Sequence, residues 1–178
     1  TEPLFAVALD MEKFYDHLDL SALRSLAVSL GLPGAVIRVL DLYASLERRV
    51  FAYGQPHGLY LAGGQPRGIP QGCPLACLYA NLTAACLEIY LGQNGGAGIY
   101  TYLDDRIVMT TSAASLEHTL GLIATFDDAL GVRLNTAKCH KAAFGATFPP
   151  DAAYPRLRGI SLCRSSFTYS VSYTHLRA

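Results

Sequence analysis

Two adjacent aspartates interrupt a stretch of the chain that otherwise favours a β-strand. Asp104 and Asp105 lie between residues 99–102 and 107–109, which are mostly apolar, β-branched or aromatic. Buried charge is costly unless it is paired or binds a metal. A third aspartate, Asp10, ends another apolar run far upstream. Two short strands that each deliver carboxylate at one end predict a site for a divalent metal ion and phosphate.

The bulk composition predicts one folded domain. Of the 178 residues, 51 % are hydrophobic and 16 % are charged, which disfavours disorder. No apolar stretch approaches the ~20 residues of a membrane-spanning helix, so we expect no membrane partner. The zero net charge argues mildly against nucleic-acid binding. That objection is weak if the chain, whose first Met is Met11, is a fragment of a longer protein, as we expect.

The five cysteines match no zinc-binding spacing and indicate a reducing compartment. Cys73, Cys77 and Cys86 fall in one apolar segment, and we expect them to be small buried side chains.

The order of elements is mixed, and this order predicts an α+β fold with a largely antiparallel sheet packed on helices. Asp19 or Ser21 is the expected cap of the first helix. We predict helices over 21–30, 34–46, 74–91 and from 115 to about 130. We predict strands over 4–9, 99–102, 107–110 and 157–162, a hairpin within 48–61 with its turn at 54–58, and extended pieces over 132–135 and 138–144.

The end of the chain differs from the rest. Residues 167–173 alternate apolar and polar side chains as a strand does, but residues 171–178 resemble a translated sequencing adapter. We therefore expect residues 1–165 to be the folded unit and residues 166–178 to be a non-native tail.

Five motifs follow one another along the chain, and each alone has an ordinary structural explanation, such as a helix cap, a hairpin tip or a surface turn. They are Leu-Asp-Met-Glu-Lys-Phe-Tyr-Asp at 9–16, Gly-Ile-Pro-Gln-Gly-Cys-Pro-Leu at 68–75, Tyr-Thr-Tyr-Leu-Asp-Asp at 100–105, Leu-Gly-Val-Arg-Leu-Asn-Thr-Ala-Lys at 130–138, and Leu-Arg-Gly-Ile-Ser-Leu at 157–162. In this order they resemble the palm of a reverse transcriptase, closest to the type found in non-long-terminal-repeat retrotransposons and group II introns.

The resemblance implies an RNA-directed DNA polymerase palm with part of the fingers in residues 1–165, from a retroelement. It assigns Asp10, Asp104 and Asp105 as catalytic carboxylates that hold two Mg²⁺ ions (Mn²⁺ is an alternative), with the Met11 carbonyl as a further ligand. Phosphoryl transfer needs positioning and charge neutralisation, which two metal ions supply. The implied partners are an RNA template, a DNA or RNA primer and deoxynucleoside triphosphates.

The resemblance also implies roles in substrate binding. Gln71 and Gly72 hold the template or the incoming nucleotide, Tyr102 contacts substrate, and Gly159 belongs to the hairpin that grips the primer. Lys138 resembles a lysine that can protonate pyrophosphate.

Tyr15 resembles the aromatic residue that lies under the sugar and excludes a 2′-hydroxyl. RNA-copying RNA polymerases usually carry Asp at this place, so Tyr15 disfavours that alternative.

Two residues depart from the family pattern. Ala76 replaces a usual Ser, and Arg106 follows the paired aspartates where an uncharged residue is usual. Arg106 could weaken metal binding or point away as an ion-pair partner. A catalytically inactive palm that serves as an RNA-binding scaffold is therefore an alternative.

The resemblance implies that the thumb and the basic residues of the fingers that hold the triphosphate belong to other parts of a longer protein, so we expect the isolated fragment not to polymerise. We expect an intracellular protein, nuclear in a eukaryote and cytoplasmic in a bacterium.

Overall fold

The computed structural model describes residues 2–46, 49–59, 67–70, 72–150 and 153–163. Its strands are β1 (Leu4–Leu9), β2 (Arg49–Ala52), β3 (Gln55–Leu59), β4 (Ile99–Tyr102), β5 (Asp105–Thr110), β6 (His140–Phe144) and β7 (Ser161–Leu162). Its helices are α1 (Phe14–His17), α2 (Leu20–Ser29), α3 (Gly34–Ser45), α4 (Ala76–Gln93) and α5 (Ala113–Leu130).

A five-stranded sheet in the order β4-β5-β1-β6-β7 is the centre of the fold. Its pairs are antiparallel except for β6 and β7, which run parallel. Strand β1 lies in the middle, where Leu9 pairs with Arg106 of β5 and Ala8 pairs with His140 of β6. The β2–β3 hairpin forms a separate two-stranded sheet. The prediction of an α+β fold with a largely antiparallel sheet is confirmed.

The hydrophobic core consists of two clusters that α4 connects. The first lies between the sheet and α5 and includes Val7, Val108, Leu116, Leu120 and Ile123. The second surrounds α2 and α3 and includes Phe14, Leu18, Leu23, Leu40 and Tyr79. Helix α4 contributes Tyr79 and Leu82 to the second cluster and Leu87 and Leu91 to the first. A helix that is apolar on nearly every side suits this position between two cores.

Side chains cap two of the helices. The Asp19 carboxylate accepts hydrogen bonds from the N–H groups of Ser21 (2.9 Å) and Ala22 (3.0 Å), as expected of a residue that caps α2. Ser112 caps α5 instead of the expected start at Ser115. No described helix is both long and apolar enough to span a bilayer.

Three further local predictions were wrong. The β2–β3 turn lies at Tyr53 and Gly54, both with positive φ, because a two-residue turn of this kind matches the twist of paired strands. Helix α4 begins at Ala76, two residues after the predicted start, because the Ala76 N–H donates to the Cys73 carbonyl in a turn that precedes the helix. Cys77 is therefore exposed on the first turn of α4, whereas burial was expected.

The expected strand over 157–162 is mostly absent, whereas the expected extended piece over 132–135 pairs with the backbone around Met11. Leu134 forms an isolated bridge with Met11 and no longer ladder. The N–H of Leu157 donates to Tyr154 and that of Ile160 donates to Leu157, so turns use the backbone groups that a strand needs. Only Ser161 and Leu162 pair with the sheet.

Candidate active site

Two adjacent strand ends carry the aspartates. Asp10 directly follows β1, and Asp105 begins β5. The antiparallel pairing of Leu9 with Arg106 brings Asp10 and Asp105 to the same end of the sheet. Asp104 lies in the turn between β4 and β5, where Leu103 has a φ of 57°. Adjacent residues of a continuous strand point to opposite faces. The hairpin turn therefore allows the side chains of Asp104 and Asp105 to face the same site.

The pKa of Asp105 reflects both burial and the charges of the other two aspartates. The pKa of Asp105 is raised to about 6, first by burial and then by the negative charges of Asp104 and Asp10. Like charges raise a carboxyl pKa only when they are near neighbours. The site therefore concentrates negative charge at the end of the sheet, and a bound cation would relieve this repulsion.

The backbone of the segment around Asp10 is held by the chain that follows α5. The Asp10 carbonyl accepts a hydrogen bond from the N–H of Asn135 (2.9 Å), and the N–H of Glu12 donates to the Arg133 carbonyl (2.8 Å). The Asp10 N–H also contacts Sγ of buried Cys139 at 3.4 Å. Both backbone hydrogen bonds belong to the isolated bridge between Met11 and Leu134, and neither of them uses the Met11 carbonyl. Sequence reasoning missed Cys139, because nothing in a lone cysteine indicates its neighbour in space.

The oxygen donors at this site suit Mg²⁺. Mg²⁺ prefers carboxylate and carbonyl oxygens, and it usually binds one or two carboxylates together with substrate phosphates. In the part of the chain that the structure describes, no three His, Cys, Asp or Glu residues form a ready-made metal site. Asp10, Asp104, Asp105 and the Met11 carbonyl therefore fit Mg²⁺ as partial ligands that substrate oxygens would complete.

A cavity of about 510 Å³ opens beside Asp104. It brings together four residues that the sequence assigned to the site: Met11, Tyr15, Gly72 and Asp104. Its remaining lining residues are Lys13, Phe14, Asp16, Pro70, Cys73, Pro74, Ala76 and Cys77. Lys13 and the two cysteines were not predicted as site residues, although all three lie within or next to the first two motifs.

Tyr15 lies between the aspartates and the second motif. Burial is the main cause that raises its pKa to about 12, and the neighbouring Asp104, Cys77 and Tyr102 raise it further. Its carbonyl accepts a hydrogen bond from the N–H of Ile69 (2.7 Å), which ties α1 to the loop of the second motif. The aromatic ring therefore forms part of the cavity wall next to Asp104.

Two more assigned residues lie near this wall or on the loop. Tyr102 is the cross-strand partner of Asp105, so both side chains lie on the same face, and Tyr102 is 48 % exposed. Gly72 has a φ of 89°, which favours glycine, and nothing lies within 4 Å of an added Cβ. Gln71 lies outside the described residues.

Of the two remaining assigned residues, Lys138 lies near the aspartates and Gly159 does not. Nζ of Lys138 lies 4.0 Å from Oδ1 of Asp10, so the structure brings this lysine to the aspartates. Gly159 lies in a turn before β7, at the opposite edge of the sheet from β4. Because β7 pairs parallel with β6, the expected hairpin at Gly159 is not formed within the described ranges.

The family profile described as reverse transcriptase (RNA-dependent DNA polymerase) matches residues 2–169. The chain belongs to the reverse transcriptase family. No curated protein sequence gave a match.

Solved structures with the same fold include telomerases from two Candida species. Apo telomerase from Candida tropicalis, truncated from the C-terminal domain, has a TM-score of 0.60 at 17 % identity over 83 % of this chain and 32 % of that one. Telomerase from Candida albicans in complex with a fragment of telomeric RNA has a TM-score of 0.59 at 16 % identity, over 83 % of this chain and 27 % of that one. The chain therefore spans about a third or less of these structures, and at this identity the likeness shows the fold.

Arg106, the residue that departs from the reverse transcriptase pattern, points away from the aspartates. Its Nη1 lies 2.8 and 2.9 Å from the two carboxylate oxygens of Asp127, and both side chains are buried. Burial raises the pKa of Asp127, and the guanidinium opposes that rise. Of the two outcomes expected for Arg106, the structure shows the ion pair, so its positive charge is neutralised on the far side of β5 from Asp105. The other departure, Ala76, begins α4 and lines the cavity.

Proposed function

We propose that the protein containing this chain extends a primer on an RNA template with deoxynucleoside triphosphates, by nucleotidyl transfer that depends on two divalent metal ions. One observation carries the proposal. Asp10 and the Asp104–Asp105 pair come from distant parts of the chain and meet at the same end of the sheet, where burial first, and then the charges of Asp104 and Asp10, raise the pKa of Asp105 to about 6. A concentration of carboxylates and other oxygen donors is what Mg²⁺ requires, and the bound ion would in turn attract phosphate oxygens.

In this proposal Asp10, Asp104, Asp105 and the Met11 carbonyl hold Mg²⁺, with Mn²⁺ as a substitute. The bound ions would supply activation of the primer 3′-hydroxyl and neutralisation of charge on the phosphates. Tyr15 packs under the sugar of the incoming nucleotide and excludes a 2′-hydroxyl. The cavity beside Asp104 is the nucleotide site, because Tyr15, Gly72 and Asp104 all line it.

Lys138 gives a proton to the leaving pyrophosphate. Its exposed ammonium group lies beside Asp10, within reach of phosphate oxygens held near that carboxylate. The activity is proposed for a longer protein, because the chain spans about a third or less of the telomerases that share its fold. We further propose a retroelement of the non-long-terminal-repeat or group II intron type, acting inside the cell.

Primer extension by the full-length protein tests this function. The assay supplies an RNA template, a DNA primer, Mg²⁺ and either deoxynucleotides or ribonucleotides. Asp104→Asn should lower extension by about 10³-fold or more, the scale of charge stabilisation in phosphoryl transfer. Asp128→Asn, which removes an exposed carboxylate at the end of α5, is the matched control and should retain activity. Full activity in Asp104→Asn would refute the proposal.

The scaffold alternative keeps one supporting observation, the zero net charge of the chain. The unusual cation at Arg106 no longer supports this alternative, because Asp127 neutralises its charge. An inactive scaffold would show no extension and no Mn²⁺ binding that depends on Asp104. An RNA polymerase would prefer ribonucleotides in the same assay.

A further inference from the structure

We propose that the buried ion pair of Arg106 and Asp127 positions the metal-binding carboxylates of Asp10 and Asp105. This inference rests on the proposed function. The pair lies outside the cavity and touches neither substrate nor metal in the proposal. It is a positioning pair that acts through the backbone of β5 and of the segment after α5.

Arg106 occupies an unusual place for a cation. Its side chain is 2 % exposed and that of Asp127 is 4 % exposed. Taking two charges out of water costs several kcal/mol per ion, and good geometry is needed to compensate. Nη1 of Arg106 contacts both carboxylate oxygens of Asp127, and these contacts fix the orientation of the guanidinium as well as the position of its charge.

The backbone of Arg106 lies between the two carboxylate-bearing strand ends. Arg106 follows Asp105 in the chain, and it is the cross-strand partner of Leu9, the residue before Asp10. Its other cross-strand partner is Thr101 of β4. Because neighbouring strand residues point to opposite faces, a fixed Arg106 side chain also fixes the direction of the Asp105 side chain.

Asp127 connects this strand to the segment that holds Asp10. Its carbonyl accepts a hydrogen bond from the N–H of Val132 (2.9 Å), just after the end of α5. Three residues further on, the N–H of Asn135 donates to the Asp10 carbonyl (2.9 Å). The ion pair therefore closes a ring of contacts that runs from Asp105 through Asp127 and back to Asp10.

Stability alone does not account for such a pair. Well-packed apolar side chains of similar volume often stabilise a core as well as, or better than, a buried ion pair. What they lack is the directional hold that a guanidinium and a carboxylate provide. The structure therefore predicts that an apolar replacement keeps the fold and weakens metal binding.

The test compares folding with metal binding in the full-length protein. Arg106→Met alone and Asp127→Leu alone should lower the melting temperature strongly, because each leaves an unpaired buried charge. The double variant Arg106→Met/Asp127→Leu should recover most of that loss. Its Mn²⁺ affinity, measured by calorimetry without substrate, should still be about 10- to 100-fold weaker than that of the original protein, the usual effect of losing a group that orients metal ligands.

A second ion pair provides the matched control. Nε of Arg24 lies 2.6 Å from Oδ1 of Asp41, and both side chains are about half exposed (49 % and 48 %). The double variant Arg24→Met/Asp41→Leu makes the same chemical change on the surface. It should leave Mn²⁺ affinity unchanged.

Arg106→Lys gives an independent variant that keeps a buried cation but loses the planar guanidinium. It should also bind Mn²⁺ more weakly while remaining folded. Original Mn²⁺ affinity in a folded Arg106→Met/Asp127→Leu double variant, or in folded Arg106→Lys, would overturn the inference and leave the pair a purely structural feature. Failure of the proposed function would be recognised separately, because Asp104→Asn would then bind Mn²⁺ as well as the original protein.

Discussion

Nζ of Lys138 lies 4.0 Å from Oδ1 of Asp10. Lys138 is 68 % exposed, so this ion pair contributes little to stability, as exposed pairs generally do. The contact matters for chemistry, because it places a proton donor beside a proposed metal ligand. It also places a positive charge where a metal ion would bind.

These two effects predict opposite changes in Lys138→Met. Loss of a positioned proton donor should lower kcat for nucleotide addition by about 10²-fold. Loss of the neighbouring charge should strengthen Mn²⁺ binding modestly, by about 1.5- to 5-fold, the scale of an exposed ion pair. Single-turnover extension and calorimetry measure the two quantities.

Lys138→Arg is the control for this pair of effects. Arginine keeps the charge but does not release its proton, so kcat should fall while Mn²⁺ affinity stays close to the original value. An unchanged kcat in both variants would exclude Lys138 as the proton donor.

Tyr15→Ala should admit ribonucleotides. The aromatic ring forms the wall of the cavity next to Asp104, and truncation leaves room for a 2′-hydroxyl. Discrimination against ribonucleotides, measured as the ratio of kcat/KM values, should fall by about 10- to 200-fold, the range for one steric contact in a pocket. Tyr15→Phe removes only the hydroxyl and should keep the discrimination. A ratio that is unchanged in Tyr15→Ala would contradict the sugar-exclusion role.

Local signals in the sequence were enough to predict most of the fold. Asp19 as a cap, the apolar run of β1 and the strands on both sides of Asp104 are all confirmed. Each of these depends on neighbours within a few residues. The α+β class follows from their order along the chain.

What the sequence could not provide depends on contacts between distant segments. Nothing near Arg106 indicates that its partner is Asp127, which lies 21 residues away. The support of Asp10 by Cys139 crosses 129 residues. Gly159 was assigned by resemblance to a primer-gripping hairpin, but turn hydrogen bonds occupy the backbone on both sides of it. Register and pairing are set by the whole sheet, so a single-sequence pattern does not contain them.

Asp105→Asn should change how stability depends on pH in the absence of divalent ions. The folded pKa of about 6 lies above the unfolded value of 3.8, because burial and the charges of Asp104 and Asp10 disfavour ionisation. The folded protein therefore binds the proton more tightly, and the stability that Asp105 contributes is present below pH 3.8 and lost as the pH rises through 6. The melting temperature of Asp105→Asn should exceed the original at pH 7.5 and converge with it near pH 4.

Divalent ions and a second variant control this measurement. Mg²⁺ at saturation should reduce the difference at pH 7.5, because the ion stabilises the ionised carboxylate of the original protein. Asp128→Asn, at the exposed end of α5, should not show the same pH-dependent gain. A difference in melting temperature that is equal at pH 4 and pH 7.5 would mean that Asp105 is not under this repulsion.

Lys13→Gly should stabilise the protein and weaken nucleotide binding at the same time. Lys13 has a φ of 44° and a ψ of 49°, a left-handed conformation that costs a non-glycine residue about 1–2 kcal/mol. Glycine removes this cost but adds unfolded-state entropy, so the net gain in unfolding free energy should be about 0.5–1 kcal/mol. The melting temperature should therefore rise by a few degrees. Because Lys13 lines the same cavity as Asp104, loss of its charge should raise KM for the deoxynucleotide.

Lys13→Ala separates the two effects. Alanine removes the charge but keeps the left-handed strain, so KM should rise without any gain in melting temperature. Equal melting temperatures for the glycine and alanine variants would show that the backbone at this position is not strained. An unchanged KM in both would remove Lys13 from the nucleotide site while leaving the assignment of the aspartates intact, since that assignment depends on the strand ends that carry them and not on the charge of Lys13.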